Sequence, residues 1–429
     1  MERMSLTIIV FVIFMIICKC TSFFSSTCSD LIDKRIGTNS NDSIHNFLNL
    51  LMPGDDFLEL VKHHTTPNAT DLMLVDVYSD SMPLLLNQIA FFKVMNISVN
   101  IIAIAYDDNV CNHNTANNDL YGFIEVPCYY SSTWTQNLLK AFNQVVPPLV
   151  TSDANYRMFT VMLGRVSMLL HCACHNYNVF INDADVVFMQ NPYDNLLFQS
   201  DIVVQVTAVA NEYSEWGHYF VSENPNRIYT LNNGVIMYRV RSNSIVLKYF
   251  IIDLAVEVFL YLKVTSNLLA SQQSDSPLLR GFVGFLQVVF NKMAMRANLY
   301  LTKGNNDYCY DCYVGELNSH THNIKIRTFP LNRYISNCDL DYAISGSSVT
   351  KKKQVYDMLF LSKDILISSK YQFSLTEWAS NNNLLLSFHA NCARSTNYED
   401  KISILRKYGL WILDYKSDES IEEIPVESR

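Results

Sequence analysis

The chain has 429 residues, of which 49% are hydrophobic and 17% are charged, and its formal net charge is −9. This apolar content suffices for a sizeable core and excludes wholesale disorder. The sequence shows no basic patch, which excludes a protein that binds nucleic acid mainly through phosphates. The length fits one large domain or two ordinary ones, and neither an internal repeat nor a second domain is apparent.

The N-terminus begins with an uncharged run, residues 4–18, between Arg3 and Lys19. About fifteen residues is typical of the core of a signal peptide and short for a membrane span. Residues 1–20 are therefore predicted to be a signal peptide or a short signal anchor. The rest of the chain is then translocated, and the protein is either a type II membrane protein of the Golgi lumen or secreted. Three N-glycosylation triplets agree with translocation, and they begin at Asn41, Asn68 and Asn96.

The chain contains 11 cysteines, two of them in or beside the leader. In an oxidising lumen the others are expected to form disulfides, and their odd number leaves one free or paired between chains. Cys172 and Cys174 are one residue apart in a helical pattern, so each pairs elsewhere or stays reduced. A zinc site built on Cys309 and Cys312 is the disfavoured alternative, because a second closely spaced pair is missing.

Three regions are predicted after the leader. Residues 21–70 are expected to be a stem or entry segment, with a weak helical pattern over residues 44–61 that Pro53-Gly54 interrupts. Residues 71–415 are predicted to form a single catalytic domain. The acidic tail, residues 416–429, is predicted to be disordered.

The domain begins with two apolar runs, residues 72–77 and 96–105, which are predicted to be strands on either side of a helical pattern at 84–94. Such a β-α-β unit predicts a parallel sheet. Asp107 follows the second strand, where a first crossover commonly holds a nucleotide's base and ribose. It is a candidate for that contact, and a helix cap or a solvated loop acid is an equally good interpretation. The polar residues 109–118 are predicted to be a loop.

Two carboxylates, Asp183 and Asp185, follow a short apolar strand at residues 179–181. Side chains at i and i+2 of an extended chain project to one side, so both can face one divalent cation. Hard oxygen ligands suit Mg²⁺ or Mn²⁺, and open α/β sheets bind ligands at the carboxyl ends of their strands. A solvated turn with two charges is the alternative. Arg165, on the predicted helix at 155–174, either reaches a diphosphate or lies on the surface.

Further elements follow in order, and three of their features suggest a site. Gly234 interrupts a good strand, which often marks a close approach of backbone or ligand. Gln287 and Asn291 lie one turn apart on one helix face, which alternatively is a polar surface stripe. The polar segment 211–227 is expected to be an active-site loop. The predicted strands are 200–206, 231–239, 324–329 and 384–388, and the predicted helices are 244–264, 282–293 and 401–408.

The motifs occur in the order Asp-x-Asp, Asn-x-Gly, Gln-x-x-x-Asn, His-x-Asn, Lys and Gly-Leu-Trp. This ordered set resembles the nucleotide-diphospho-sugar transferases, a family that includes plant cell-wall xylosyl- and arabinosyltransferases and some galactosyltransferases. It is similar, more distantly, to the glycogenin-type transferases. The resemblance runs over residues 71–413. It implies a GT-A fold, which is an α/β, Rossmann-like, mixed and mostly parallel sheet flanked by helices.

The resemblance also implies the chemistry and its residues. It implies transfer of a sugar from a UDP-sugar, with Mn²⁺ or Mg²⁺, to a hydroxyl of a glycan or glycoprotein acceptor, with retention at the anomeric carbon. His389 matches a third metal ligand beside Asp183 and Asp185, and neutral imidazole suits Mn²⁺. Without the match, a lone histidine is more often a core residue. The positions that match donor-binding residues are Arg165, Asp183, Asn232, Gly234 and Lys401.

The chain departs from the family pattern at two places. The family has Asp-Gln where this chain has Leu286-Gln287, and that aspartate is expected beside the reacting sugar carbon. Gln287 and the nearby Asp275 are therefore the catalytic candidates. Residues 389–401 lack the family's glycine and are about two residues longer.

These departures leave other functions open. One is a donor-binding protein that no longer catalyses, and another is a secreted structural glycoprotein in which the acids are incidental. A metal-dependent phosphohydrolase is disfavoured, because it normally needs more carboxylate or histidine ligands.

Overall fold

The computed structural model describes most of the domain and part of the segment before it. The described residues are 28–37, 42–65, 70–94, 96–118, 122–146, 153–188, 190–193, 200–209, 220–221, 228–240, 244–269, 285–296, 302–303, 313–318, 323–328, 334–336, 387–390, 398–407 and 410–413. The helices are α1 (Cys28–Ile36), α2 (Asp42–Leu51), α3 (Asp55–His64), α4 (Met82–Val94), α5 (Ser132–Val145), α6 (Asp153–Cys174), α7 (Ser244–Leu269), α8 (Phe285–Arg296) and α9 (Tyr398–Lys407). The strands are β1 (Asp71–Val77), β2 (Ile101–Ala105), β3 (Thr115–Asn118), β4 (Gly122–Glu125), β5 (Cys128–Tyr129), β6 (Asn178–Asp183), β7 (Val186–Phe188), β8 (Ile202–Val209), β9 (Phe220–Val221), β10 (Ile228–Tyr238), β11 (Thr302–Lys303), β12 (Tyr313–Asn318), β13 (Asn323–Thr328), β14 (Tyr334–Ser336) and β15 (Ser387–His389).

The main sheet has the strand order β11-β12-β13-β8-β10-β6-β1-β2-β5, with β9 paired to β10. Strands β6, β1, β2 and β5 are parallel to one another, and β13 is parallel to β8. Only β10 and β12 of the described strands of this sheet run against the common direction. The predicted α/β class, with a mixed and mostly parallel sheet flanked by helices, is confirmed.

The predicted β-α-β unit is formed by β1, α4 and β2, whose register pairs Met73 with Ile101. Helix α4 packs its apolar residues between β1 and β7, so both sides of the helix are buried. The second strand begins later than the sequence indicates, because Asn96 has a positive φ of 51° and turns the chain first. This unit places the carboxyl ends of β1, β2 and β6 along one edge of the sheet.

Two apolar layers cover the sheet. One contains Phe47, Trp134 and Phe290 and lies on the side of α2, α5 and α8. The other contains Phe91 and Trp411 and lies on the side of α4 and α9. Strand β6 alternates between them, with Val179 and Ile181 in the first layer and Phe180 in the second. This alternation is the one expected of a strand covered on both faces.

Helices α1, α2 and α3 lie in the region predicted as a stem. Phe47, Leu48 and Phe57 are fully buried in the first apolar layer, so the folded unit extends N-terminal to residue 71. The predicted interruption at Pro53-Gly54 separates α2 from α3. The division of the whole chain into regions stays a prediction.

Two disulfides lie within the described residues. Cys28 of α1 pairs with Cys174 at the end of α6, and Cys111 pairs with Cys128. Cys172 is a buried free thiol, so Cys172 and Cys174 do not pair with each other, as their spacing predicts. Cys309, Cys312 and the leader lie outside the described residues.

Two further predictions concern loops and membrane spans. Residues 115–118, predicted to be loop, form β3 and pair with β4, so that prediction is wrong at its end. The prediction for residues 211–227 falls largely outside the described residues. Among the described helices, none combines the length and the apolar character that a membrane crossing requires.

Candidate metal and donor site

The predicted metal ligands meet at the carboxyl end of β6. Asp183 ends this strand, Asp185 follows in the turn, and β15 pairs antiparallel with β7 so that His389 lies opposite Val186. The Nε2 atom of His389 lies 3.4 Å from Oδ2 of Asp183 and 3.3 Å from Oδ1 of Asp185. Potential ligand atoms of these three residues all lie within 4.8 Å of one another. The fold thus brings together residues that are about two hundred positions apart.

His389 is oriented by Gln205 on β8. The imidazole Nδ1 lies 2.9 Å from Oε1 of Gln205, and both side chains are buried. If Nδ1 carries a proton, it donates to this oxygen, and Nε2 is the nitrogen that a cation between the two carboxylates would bind once its proton is released. Within the described part of the chain, Nε2 has no hydrogen-bond partner. An oriented imidazole with an unshared nitrogen beside two carboxylates fits a divalent cation such as Mn²⁺.

The electrostatics of the site place positive charge between the two carboxylates. Burial alone lowers the pKa of His389, but Asp185 and Asp183 outweigh it and raise the pKa to about 9. Burial raises the pKa of both carboxyls, but the neighbouring cations outweigh it and hold the pKa of Asp183 and of Asp185 below the usual range. Both carboxylates are therefore ionised at neutral pH, as ligands of a hard cation must be.

Lys401 of α9 contacts the same site from another side. Its Nζ lies 2.6 Å from Oδ2 of Asp185, which is 2% exposed. Burial lowers the pKa of Lys401, but Asp185 outweighs it, so the pKa is raised and the group stays charged. Its partner in the structure is the Asp185 carboxylate, and the predicted contact of Lys401 with the donor's diphosphate stays a prediction.

Arg165 of α6 bridges two carboxylates on neighbouring strands. Its Nε lies 2.5 Å from Oδ2 of Asp76, and its Nη2 donates to Oδ1 of Asp183. Asp76 and Asp183 are partners in the parallel register of β1 and β6. The hydroxyl of Tyr106 donates to the other oxygen of Asp76. Arg165 is buried and in the site, but its guanidinium is already committed to protein carboxylates.

Gly234 lies against Asp183. A Cβ added at this position would be 2.1 Å from Oδ2 of Asp183, so any larger residue would have to displace this carboxylate. The pairing of β10 with β8 shifts register between Asn232 and Ile236, and Oδ1 of Asn232 accepts from the Gly234 amide at 2.8 Å. A close approach is present at this glycine, but the group approached is the Asp183 side chain, where backbone or a ligand was expected, and the donor contact of Gly234 stays a prediction.

The remaining predicted site residues have other surroundings. Oδ1 of Asp107 accepts from the Asn109 amide at 3.1 Å, a local turn contact. Leu286 is 4% exposed and packs in the first apolar layer. Gln287 lies next to it on α8, and its carbonyl accepts from Asn291. Asp275 lies outside the described residues, so the catalytic roles of Asp275 and Gln287 and the nucleotide contact of Asp107 stay predictions.

Asn291 is not part of a surface stripe. It is fully buried, and its amide group donates to the Leu231 carbonyl and accepts from the Leu231 amide, at 3.0 and 3.1 Å. These two hydrogen bonds hold the start of the bulged part of β10. Asn291 therefore supports the strand that carries Asn232 and Gly234.

Comparison with known families locates the resemblance. The family model described as nucleotide-diphospho-sugar transferase matches residues 133–251. This segment resembles nucleotide-diphospho-sugar transferases. It contains Arg165, both aspartates, Asn232 and Gly234, whereas His389 and Lys401 follow it. The predicted resemblance is confirmed over this part of the chain.

Solved structures similar to the chain are also glycosyltransferases by their titles. The apo form of mouse xyloside xylosyltransferase 1 is 12% identical, with a TM-score of 0.34 and coverage of 76% of this chain and 98% of that one. The apo structure of the WbbM bifunctional glycosyltransferase is 9% identical, with a TM-score of 0.33 and coverage of 79% of this chain and 50% of that one. Likeness at this level carries no argument about substrate. None of the curated proteins compared with the chain matches it significantly.

Three residues of the site belong to none of the sequence motifs described above: Asp76, Tyr106 and Gln205. Asp76 and Gln205 are polar residues inside otherwise apolar strands, and a charged or amide side chain in such a position must find a partner. That signal identifies them as residues of a polar network. Their partners, Arg165 and His389, become apparent only from the strand order.

Proposed function

We propose that the protein is a metal-dependent glycosyltransferase that moves a sugar from a UDP-sugar to a hydroxyl acceptor. The observation that carries the proposal is the convergence of Asp183, Asp185 and His389 at the carboxyl end of β6. The first two lie in the segment that resembles nucleotide-diphospho-sugar transferases. A divalent cation bound there would act as a Lewis acid toward the donor's diphosphate.

The residues of the chain have separate roles in this proposal. Asp185 and His389 hold the cation, and Asp183 either completes its shell or contacts the donor's ribose or sugar. Lys401 is the mobile cation, because its flexible stem allows Nζ to turn from Asp185 toward a diphosphate oxygen. Charge placed where the leaving diphosphate develops its own charge lowers the barrier.

We propose a retaining reaction in which the acceptor attacks from the face of the leaving group. Each carboxylate among the described residues of the site is bound by a cation: Asp76 and Asp183 by Arg165, and Asp185 by Lys401. Where the family has an aspartate, Leu286 is buried and apolar. In the proposed step the bond between the anomeric carbon and the phosphate oxygen breaks and a bond to the acceptor oxygen forms. The acceptor's proton passes to the departing diphosphate.

A donor-binding protein without turnover is the second candidate. It is favoured by Leu286, because an apolar side chain in the core supplies neither a nucleophile nor a hydrogen bond. This candidate keeps the same metal and UDP site and predicts binding without release of sugar. The structural-glycoprotein alternative predicts neither.

Release of UDP by the purified part that follows the predicted leader, residues 21–429, tests the proposal. The assay compares a panel of UDP-sugars in Mn²⁺ or EDTA, with Asp185→Ala as the inactive variant. Asp253→Asn is the control, since Asp253 on α7 pairs with Arg35 on α1 and lies outside the site. Mn²⁺-dependent release from one donor, absent in Asp185→Ala, supports the transferase and names its sugar. Binding of UDP without release favours the second candidate. Release that persists in Asp185→Ala contradicts the proposed site.

We further propose that the protein works in the secretory pathway. Two disulfides within the described residues support an oxidising compartment. Asn96, which begins one of the glycosylation triplets, is exposed in a turn and so accessible to modification. The mass lost on treatment with an N-glycosidase, smaller by one glycan in Asn96→Gln than in wild type, tests this expectation; an equal loss in both proteins would contradict glycosylation at Asn96.

A further inference from the structure

The structure contains a buried chain of polar contacts that ends at the metal-site carboxylate Asp183. It runs from the Tyr106 hydroxyl to Asp76, from Asp76 to Arg165, and from Arg165 to Asp183. The four residues come from β1, β6, α6 and the end of β2. Tyr106, Asp76 and Arg165 are each less than a tenth exposed, so these contacts are shielded from water.

Each side chain in this series of polar contacts fixes the position of the next one. The Tyr106 hydroxyl donates to Oδ1 of Asp76 and Nε of Arg165 donates to Oδ2, so this carboxylate is bound at both oxygens. The guanidinium is planar, and it contacts Asp76 through Nε, Asp183 through Nη2 and the Asn233 carbonyl through Nη1 at 3.4 Å. Asp183 is therefore held at Oδ1, and its Oδ2 is left facing Nε2 of His389 at 3.4 Å.

Two glycines make room at the two ends of the chain of contacts. A Cβ at Gly164 would lie 2.2 Å from the Tyr106 hydroxyl, and one at Gly234 would lie 2.1 Å from Oδ2 of Asp183. Tyr106 is also stacked on Trp134, with ring centroids 5.8 Å apart. The packing thus restricts the positions of the Tyr106 hydroxyl and of the Asp183 carboxylate. Such restriction is expected of residues that support a metal ligand.

We propose that Asp76 and Tyr106 are positioning residues that act through Arg165 to hold Asp183 ready for the divalent cation. In this proposal Arg165 holds a metal ligand in position, and Lys401 is the side chain that contacts the diphosphate. Asp76 also shares the charge of Arg165, so Asp183 keeps more of its own negative charge for a metal than a pair with Arg165 alone would leave it. The inference rests on the proposed function, since it concerns the same site.

Calorimetric titration of UDP into the protein at a fixed Mn²⁺ concentration tests the inference. Asp76→Asn keeps the shape of the side chain and removes its charge, and we expect it to weaken Mn²⁺-dependent UDP binding about tenfold or more, as loss of a supporting partner of a metal ligand does. Tyr106→Phe removes one hydrogen bond, and we expect a loss of about fivefold. The matched control is Asp253→Asn, which breaks the Arg–Asp pair between Arg35 of α1 and Asp253 of α7 and is expected to leave binding unchanged.

A double-mutant cycle distinguishes positioning through Arg165 from a general effect on folding. If Asp76 acts through Arg165, Asp76→Asn weakens binding by less than twofold when Arg165 is already methionine. Thermal unfolding of each variant is measured alongside, and Tyr106→Phe serves if Asp76→Asn does not fold. The inference is overturned, and the proposed function is left intact, if Asp76→Asn binds UDP with wild-type affinity, or if Tyr106→Phe does so when Asp76→Asn does not fold. An equal loss of affinity from Asp76→Asn with Arg165 and with methionine at position 165 has the same meaning. A wild type that binds no UDP in Mn²⁺ overturns both.

Discussion

The ammonium group of Lys401 lies 2.6 Å from Oδ2 of Asp185, the carboxylate that the resemblance assigns to the metal. The site thus contains a cation of the chain itself, bound to a candidate metal ligand. A metal bound by Asp185 would compete with this lysine until a diphosphate offered Lys401 another partner. The metal and UDP are expected to bind this site cooperatively. A bound diphosphate would draw Lys401 away from Asp185 and so favour the metal, and a bound metal would free Lys401 to contact the diphosphate.

Replacing Lys401 with methionine is therefore expected to have opposite effects on the two ligands. Mn²⁺ alone binds several-fold more tightly, because the competing charge is gone. UDP at saturating Mn²⁺ binds about tenfold more weakly, because a charge-assisted contact to the diphosphate is lost. Calorimetry with Mn²⁺ alone and then with UDP measures both, with the exposed Lys62→Met as the control. Weaker binding of both ligands would show that Lys401 supports the site instead of competing for it.

Gly234→Ala tests the close approach of β10 to the metal-site carboxylate. The added methyl would overlap Oδ2 of Asp183, so we expect this oxygen to move and Mn²⁺-dependent UDP binding to fall at least about tenfold. Gly54→Ala is the control, because its methyl also meets a carboxylate oxygen, that of Asp56 at 2.7 Å, at the start of α3 and not in the site. Unchanged binding in Gly234→Ala would mean that Asp183 does not have to occupy its present position.

Gln205 is expected to matter because it orients His389. Gln205→Leu removes the acceptor of Nδ1 and leaves the imidazole free to adopt the wrong tautomer, so we expect about a tenfold loss of Mn²⁺ affinity. Gln205→Glu keeps an acceptor at the same place and should retain more of the affinity than Gln205→Leu. Titration with Mn²⁺ in the presence of UDP compares the three proteins. Equal losses in both variants would argue against orientation through Nδ1.

His171 is expected to make the fold sensitive to acid. Burial, with a smaller effect from His175, lowers the pKa of His171 to about 4, below its ordinary value near 6.5. A histidine with a lowered pKa contributes stability above the pKa of the unfolded chain, and the contribution is lost as pH falls toward the folded value. Between pH 6.5 and 4 the loss is on the order of 2–3 kcal/mol. Urea unfolding at several pH values should show a shallower acid dependence for His171→Leu than for wild type, and identical curves would contradict the assignment.

Much of the sheet and half of the site follow from local sequence. The β-α-β unit and the helix before Asp183 have strong periodicity, and Asp183 and Asp185 follow an apolar strand directly. Helices α2 and α3 have only weak patterns, because Phe47 and Phe57 find their partners across the core and not within their own helices. His389 gains its role from a strand pairing with Val186, and nothing local to residue 389 encodes that partner.

The residues that support the site are the hardest to predict. Asp76 and Gln205 look like defects in apolar strands until the strand order places them beside Arg165 and His389. Arg165 lies beside Asp183, but its partners in the structure are carboxylates, and its contact with a diphosphate stays a prediction. Long-range register decides such contacts, and a single sequence contains little information about register.

The most direct test of the central claim is the binding of UDP to wild type and to Asp185→Asn, each titrated in Mn²⁺ and in EDTA. If Asp183, Asp185 and His389 hold the cation that binds the donor, wild type binds UDP much more tightly in Mn²⁺ than in EDTA, and Asp185→Asn loses that difference. Asp185→Asn replaces one carboxylate oxygen with an amide nitrogen and leaves the shape of the side chain almost unchanged. A loss of Mn²⁺-dependent UDP binding therefore reports on the metal. If Asp185→Asn binds UDP with the same Mn²⁺ dependence as wild type, the metal site lies elsewhere and the account is contradicted.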